Sequence, residues 1–387
     1  MVGRRVFAAL LAAVLALPVA AAAQEVVQKR VFEVANYRTR GGAEIPVRIG
    51  YQTAGTLNAA GDNAILVAHF FSGNSQAWGR FAAGGPPGWW DAIIGPGKPI
   101  DTDRYFVVAA DTLTNVNTDP NTTTTGPQSV NPATSRPWGM SFPVVSMRDF
   151  VEVQKLLLDS LGVRRLALVA GPSMGGLQAI EWAAAYPEMV ARVMPAISAD
   201  IDAWMQGWLN IWAAPIRLDP NWREGEYYGR EPPARGLAEA WKVVTLHAQD
   251  RLWTRQFDRR AAEGQDPARR IGDRFQVEQV LDAAGAARAR TTDANAFLYI
   301  VRANQLFLNE YPSMEAALQR SRARWLVVPT QTDRVFLYPG VQEMVEQLRR
   351  AGRPVEVAEI TGERGHLNGV LFMTQAGDRI RAFLAAQ

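Results

Sequence analysis

The sequence predicts an α/β fold: a mainly parallel sheet flanked by helices, with a helical cap inserted after the half that carries the nucleophile. Three observations support it. Short, continuous apolar runs rich in branched residues recur, as strands covered on both faces require. They alternate with amphipathic helical patterns. The alternation stops between about residues 199 and 314, where helical patterning continues with little strand signal. Taken in order, Ala64–His69, Tyr105–Ala110 and Leu166–Ala170 are the early strand-like runs, and Trp325–Pro329 and Val355–Ile360 the late ones. Phe150, Val153, Leu157 and Leu161 share a helical face that Gly162 ends; Val341, Met344, Val345 and Leu348 repeat the pattern before Gly352 and Pro354. Residues 114–127, TNVNTDPNTTTTGP, are polar and turn-rich and read as a surface loop. In the interrupted stretch, Trp204, Trp208 and Trp212 stand four residues apart and share one face. They form either the core of the cap or the wall of an apolar acyl pocket. The expected division is a leader at 1–23, core at 24–198, cap at 199–314 and core again at 315–387.

With 387 residues, 48% hydrophobic and 20% charged, the chain can bury a large core and is neither disordered nor fibrous. Its 41 basic and 38 acidic residues leave a net +3, too little for a nucleic-acid footprint. There is no cysteine, which excludes a disulfide framework, thiolate metal sites and a cysteine nucleophile. The three histidines, His69, His247 and His366, are scattered without metal-ligand spacing, so no metal and no cofactor is expected. Residues 1–23 have a basic start (Arg4, Arg5), a short apolar run and small residues at Ala21 and Ala23. This is the pattern of a signal peptide cleaved near Ala23, and it leads to the expectation of a periplasmic or secreted protein without a membrane span.

The sharpest chemical signal is Gly171-Pro-Ser-Met-Gly-Gly176, between the run 166–170 and a helical pattern from Leu177. A serine in G-x-S-x-G between strand and helix sits on a tight turn that presents its hydroxyl as a nucleophile. A hydroxyl needs an adjacent base, and in such folds the chain order is serine, acid, histidine. His366, in the glycine-bracketed turn 361–366, satisfies that order, whereas His69 and His247 precede any acid placed after the cap. Asp333, after the run 325–329, is the expected acid, with Glu363 a weaker rival. The oxyanion donors expected are the N–H groups of Met174, next to the nucleophile, and Phe71, in the loop after the run 64–68. His69 is then a structural residue of that loop.

Further stretches are specific in a different way. They include Gly88-Trp-Trp-Asp91, Gly95-Pro-Gly-Lys-Pro-Ile-Asp-Thr-Asp-Arg-Tyr-Phe106, Ser129–Thr134, Phe142–Val145, Gln178-Ala-Ile-Glu-Trp182 and Asp219-Pro-Asn-Trp222. With the serine hexapeptide and Gly365-His366, they resemble the homoserine O-acetyltransferase branch of the α/β-hydrolase superfamily, from about residue 50 to the C-terminus. The resemblance implies the α/β-hydrolase fold and maps the family's catalytic residues onto Ser173, Asp333 and His366. It also marks departures. In that family a cap arginine, and a tyrosine seven residues on, hold the homoserine carboxylate, and an aspartate follows the catalytic histidine. The matching places here are Trp241, Ala248 and Leu367. Neither Trp241 nor Ala248 supplies a charge-assisted fork to a carboxylate, and Leu367 has no charge for the substrate amine that the family's aspartate meets. The family's His-Ala-Leu-Thr-Gly loop is His69-Phe-Phe-Ser-Gly73.

The resemblance is therefore nearest to exported, esterase-like relatives. It implies hydrolysis of a small-molecule ester, uncharged and fairly apolar, in a pocket that includes Phe70, Trp241 and Leu367. By analogy it also implies a homodimer through the cap. Two other readings are acyl transfer to an acceptor other than homoserine, and a non-catalytic binding protein on the same scaffold.

Overall fold

The computed structural model describes residues 26–386. The expected leader at 1–23 lies outside the described residues. Within them, one eight-stranded sheet is built from β1 (Arg30–Arg38), β2 (Glu44–Ala54), β3 (Ala64–Ala68), β4 (Phe106–Ala110), β5 (Leu166–Pro172), β6 (Arg192–Ala196), β7 (Arg324–Val327) and β8 (Val355–Val357). The spatial order is β1-β2-β4-β3-β5-β6-β7-β8. β2 pairs antiparallel with β1 and with β4, and every pairing from β4 across to β8 is parallel. The apolar runs explain the parallel part. β3 and β5 are buried along their whole lengths. Side chains alternate between faces, so Leu66 and Val169 enter one apolar cluster while Ile65, Val67 and Leu168 enter the other. β7 and β8 are shorter than the apolar runs that predict them, yet Ala358 N–H to Val327 O (2.9 Å) and Ile360 N–H to Pro329 O (3.0 Å) continue their alignment.

The sheet is flanked by α1 (Met147–Ser160) and α2 (Met174–Ala185) in the first half of the chain. α1 starts with a capping box: Ser146 Oγ accepts from the Asp149 N–H while the Asp149 carboxylate accepts from the Ser146 N–H. It stops at Gly162, which takes φ +81°. Between β6 and β7 the described residues add no strand to the sheet. They form α3 (Ala203–Leu218), α4 (Ala234–His247), α5 (Gln276–Ala289) and α6 (Ala294–Gln305). Asp202 and Asp293 cap α3 and α6 by accepting from the N–H groups of Met205 and Ala296. The chain then returns to the sheet through α7 (Met314–Arg320), α8 (Tyr338–Arg350) and α9 (Gly377–Ala385). No helix of the described residues is long and apolar enough to cross a membrane.

The three spaced tryptophans of α3 run from surface to core: Trp204 is 57% exposed, Trp208 is intermediate and Trp212 is buried. One expectation is corrected. The polar stretch 114–127 is not a surface loop throughout, because Thr114, Asn115 and Val116 have no exposed area. Asn115, Asn117 and Thr124 donate from their side chains to the backbone carbonyls of Gly73, Ser72 and Thr112 instead of to water.

Candidate active site

The site is assembled at the C-terminal ends of the parallel strands. β5 runs directly into α2, and Ser173 at the junction takes φ 55° and ψ −124°. For a residue with a side chain that conformation is costly. It is held by the Ser173 N–H donating to Ala196 O (2.9 Å) and by Ser198 Oγ donating to Ser173 O (2.8 Å). The neighbouring glycines are required by space. A Cβ at Gly171 or Gly175 would overlap the carbonyl oxygen of Ala68 at the end of β3.

The structure brings Ser173, His366 and Asp333 together. Ser173 Oγ lies 2.8 Å from His366 Nε2, and His366 Nδ1 lies 2.9 and 3.0 Å from the two oxygens of Asp333. A carboxylate can only accept, so Nδ1 carries the proton and Nε2 is free to accept from the serine hydroxyl. Asp333 is itself fixed, since its Oδ1 accepts from the N–H groups of Val335 (2.8 Å) and Phe336 (3.0 Å). Asp333 and His366 are both buried. The two loops that carry them are tied by Asn368 Nδ2, which donates to Thr330 Oγ1 (3.1 Å) and Gly362 O (3.2 Å). Glu363, the rival acid, is exposed and makes no bond to His366. Chemically, the arrangement can move a proton from Ser173 to His366 and hold the resulting imidazolium.

Among the described residues, neither the Phe71 N–H nor the Met174 N–H donates to another oxygen, so both are free for an oxyanion. Met174 opens α2, where N–H groups have no intrahelical partner. The Phe71 ring is wedged edge-on among Trp212, Trp241 and Phe297, with centroids 5.5, 6.0 and 5.1 Å away. His69 is buried; its Nδ1–H donates to Phe70 O (2.8 Å) and its Nε2 accepts from the Thr112 N–H (3.1 Å). Complete burial pushes its pKa down. It is a neutral strut of this loop.

Of the pocket candidates, Phe70 meets Trp89 edge-on at 5.6 Å, and Leu367 follows His366 on the same short turn. Trp241 is 0% exposed, so it backs Phe71 rather than facing a cavity. Three further contributors escape sequence reasoning. Asn115 Nδ2 and Asn117 Nδ2 each donate to Gly73 O at 3.0 Å, holding the loop that carries Phe71. His247 stacks on Trp208 at 4.0 Å and accepts from Trp212 Nε1–H at 3.2 Å. Burial pushes its pKa down to about 4, with the nearby His366 lowering it further. Nothing in "TNVNTD" separates load on a buried backbone from exposure to solvent, and a lone histidine in a helix carries no local signature.

Comparison with known proteins follows the same lines. A family model described as the alpha/beta hydrolase fold matches residues 75–353. The homoserine O-acetyltransferase of Solidesulfovibrio magneticus is 38% identical over 355 residues, 88% of each chain. The chain belongs to the homoserine O-acetyltransferase family of α/β hydrolases. Among solved structures, the homoserine O-acetyltransferase from Bacillus anthracis superposes with a TM-score of 0.90 at 34% identity, covering 94% of this chain and 99% of that one. Esterase E22 superposes with a TM-score of 0.89 at 41% identity, covering 92% of this chain and all of that one. Within this family, then, the protein is similar both to transferases and to an esterase. At the places where the family resemblance implies groups for the amino-acid substrate, it has the buried Trp241, the buried Ala248 and Leu367.

Proposed function

We propose that the protein is an exported serine esterase. Ser173 Oγ attacks the ester carbonyl as His366 Nε2 takes its proton, and Asp333 holds the imidazolium. The N–H groups of Phe71 and Met174 receive the oxyanion. Collapse of the tetrahedral intermediate expels the alcohol, protonated by His366, and leaves an acyl-Ser173 ester. His366 then takes a proton from water, the hydroxide attacks, and the acid leaves as Ser173 recovers its proton. The observation that carries this reading is the 2.8 Å approach of Ser173 Oγ to an imidazole whose other nitrogen is fixed 2.9 Å from a buried carboxylate. Water rather than homoserine as acceptor is supported by Trp241, Ala248 and Leu367. Phe70 and Leu367 bound the pocket, and Trp241 supports Phe71 from behind.

A panel of p-nitrophenyl esters with purified protein and its Ser173→Ala variant tests the proposal. Turnover of short or medium acyl chains that disappears in the variant is expected; equal turnover by both would refute it. Acyl transfer is the second reading, favoured by the transferases that are 36–39% identical to this chain. It gains if an added alcohol or amine captures the acyl group faster than water does. A homodimer through the helical insertion fits Trp204, Ile211 and Leu218, which are exposed at seven-residue intervals along α3. A monomeric mass by light scattering at micromolar concentration would exclude it.

A further inference from the structure

Arg288 lies in the last turn of α5, and sequence reasoning gives it no role. Its guanidinium sits 4.3 Å above the ring centroid of Trp241, and Nη2 donates to Ser72 Oγ at 2.7 Å. Ser72 directly follows Phe71, the oxyanion candidate. The platform is rigid. Trp241 Nε1–H donates to Thr292 Oγ1 (2.8 Å), whose hydroxyl donates to Arg288 O (2.8 Å), and Asn117 Nδ2 holds Ser72 O (3.2 Å).

The partners of this cation are unusual within the protein. Arg148 is paired with Glu181 and Tyr311, and Arg192 donates to the carbonyls of Phe383 and Ala386. Arg288 is partly buried as well, but no carboxylate among the described residues pairs with it, and Ser72 Oγ takes one of its five N–H donors. Burial, with no charge to offset it, pushes its pKa below the usual guanidinium value. The indole face offsets part of that cost. Such a planar fork, preorganised and without a counter-ion, matches a carboxylate with two parallel hydrogen bonds.

We propose that Arg288 binds a carboxylate carried by the ester substrate. This rests on the esterase reading and deepens it. It replaces the expectation of an uncharged ester drawn from Trp241, Ala248 and Leu367: the cation that position 241 lacks is supplied from α5. The carboxylate belongs either to the acyl part, as in a monoester of a dicarboxylic acid, or to the alcohol part, as in an O-acyl hydroxy acid.

Two substrate series distinguish these sources: monoalkyl esters of succinic and glutaric acid, and O-acetyl derivatives of 3- and 4-carbon hydroxy acids. Each is compared in a pH-stat with its neutral methyl ester. In one series wild-type kcat/KM is expected to favour the anion by about ten- to hundredfold, the value of a charge-assisted hydrogen-bonded pair. In Arg288→Met that anion-to-neutral ratio falls toward one, mainly through KM, and in Arg288→Lys it falls part-way. A wild-type ratio at or below one in both series, or a ratio preserved in Arg288→Met, overturns the proposal. Should circular dichroism show Arg288→Met unfolded, wild-type neutral-ester turnover is measured with butyrate or with butyramide as inhibitor. Stronger inhibition by butyrate supports the proposal, and equal inhibition overturns it. Turnover that survives Ser173→Ala refutes the esterase reading itself, a separate outcome.

Discussion

Replacing Asp333 by asparagine should silence the relay without disturbing the fold. Oδ1 of Asp333 accepts two backbone N–H groups, from Val335 and Phe336 at 2.8 and 3.0 Å. In Asp333→Asn the amide oxygen must remain there, because an NH2 group would face two donors. The amide nitrogen therefore takes the Oδ2 position, 2.9 Å from His366 Nδ1. That nitrogen only donates. Oδ1, 3.0 Å from Nδ1, already accepts two backbone N–H groups, so the new NH2 favours Nδ1 as acceptor; the imidazole proton then moves to Nε2, and an N–H points at Ser173 Oγ across the 2.8 Å gap. The base is lost although volume and backbone bonds are kept. The expected fall in kcat is about 10⁴, or roughly 5 kcal/mol of transition-state stabilisation at about 1.36 kcal/mol per decade. Spectrophotometric turnover of p-nitrophenyl acetate measures it, and a urea titration shows stability held to within about 1 kcal/mol. A folded Asp333→Asn protein whose kcat stays within tenfold of wild type would refute the tautomer argument.

Gly175→Ala should fail through space alone. The added Cβ overlaps the Ala68 carbonyl, which is backbone in the middle of the sheet and cannot swing aside. Overpacking of this kind costs about 1–3 kcal/mol. A shift of Ser173 by about 1 Å would lower kcat/KM about 100-fold; unchanged values in both denaturation and turnover would contradict the close approach of β3 and α2. His247 predicts a pH effect on stability. Its folded pKa is about 4 against an ordinary 6.5. Between those values the unfolded chain binds the proton and the folded chain does not, so stability falls as pH drops from 6.5 and levels off below about 4, by up to about 3 kcal/mol. His247→Gln, which still accepts from Trp212, should flatten that part of the pH–stability curve; an identical slope would exclude His247 as its source.

The parts of this fold that are legible in the sequence are those whose physics is local. Continuous apolar runs mark β3 and β5 because both faces are covered, and Gly162 marks the end of α1 because only glycine takes φ +81° cheaply. The elbow is legible because Gly171 and Gly175 answer to one close contact with Ala68. Asp333 and His366 follow from chain order once Ser173 is located. What stays hidden is polar and long-range. Asn115 and Asn117 sit in a run of turn-forming residues, and only the fold reveals that they bond to Gly73. Trp241 reads as a pocket aromatic by position, but its Nε1–H is consumed by Thr292 and its face by Arg288. Arg288 itself is one more cation in an alanine-rich helix until the loop of Phe71 is brought against it from 216 residues away.

The hydroxyl and the imidazole of the relay are separated by 193 residues of chain. A polypeptide halted between positions 173 and 366 holds the serine with no imidazole to activate it. Competence therefore requires the C-terminal segment that carries His366 to be docked against the elbow. A covalent serine probe applied during refolding would report that docking event, making the protein a clock for its own assembly.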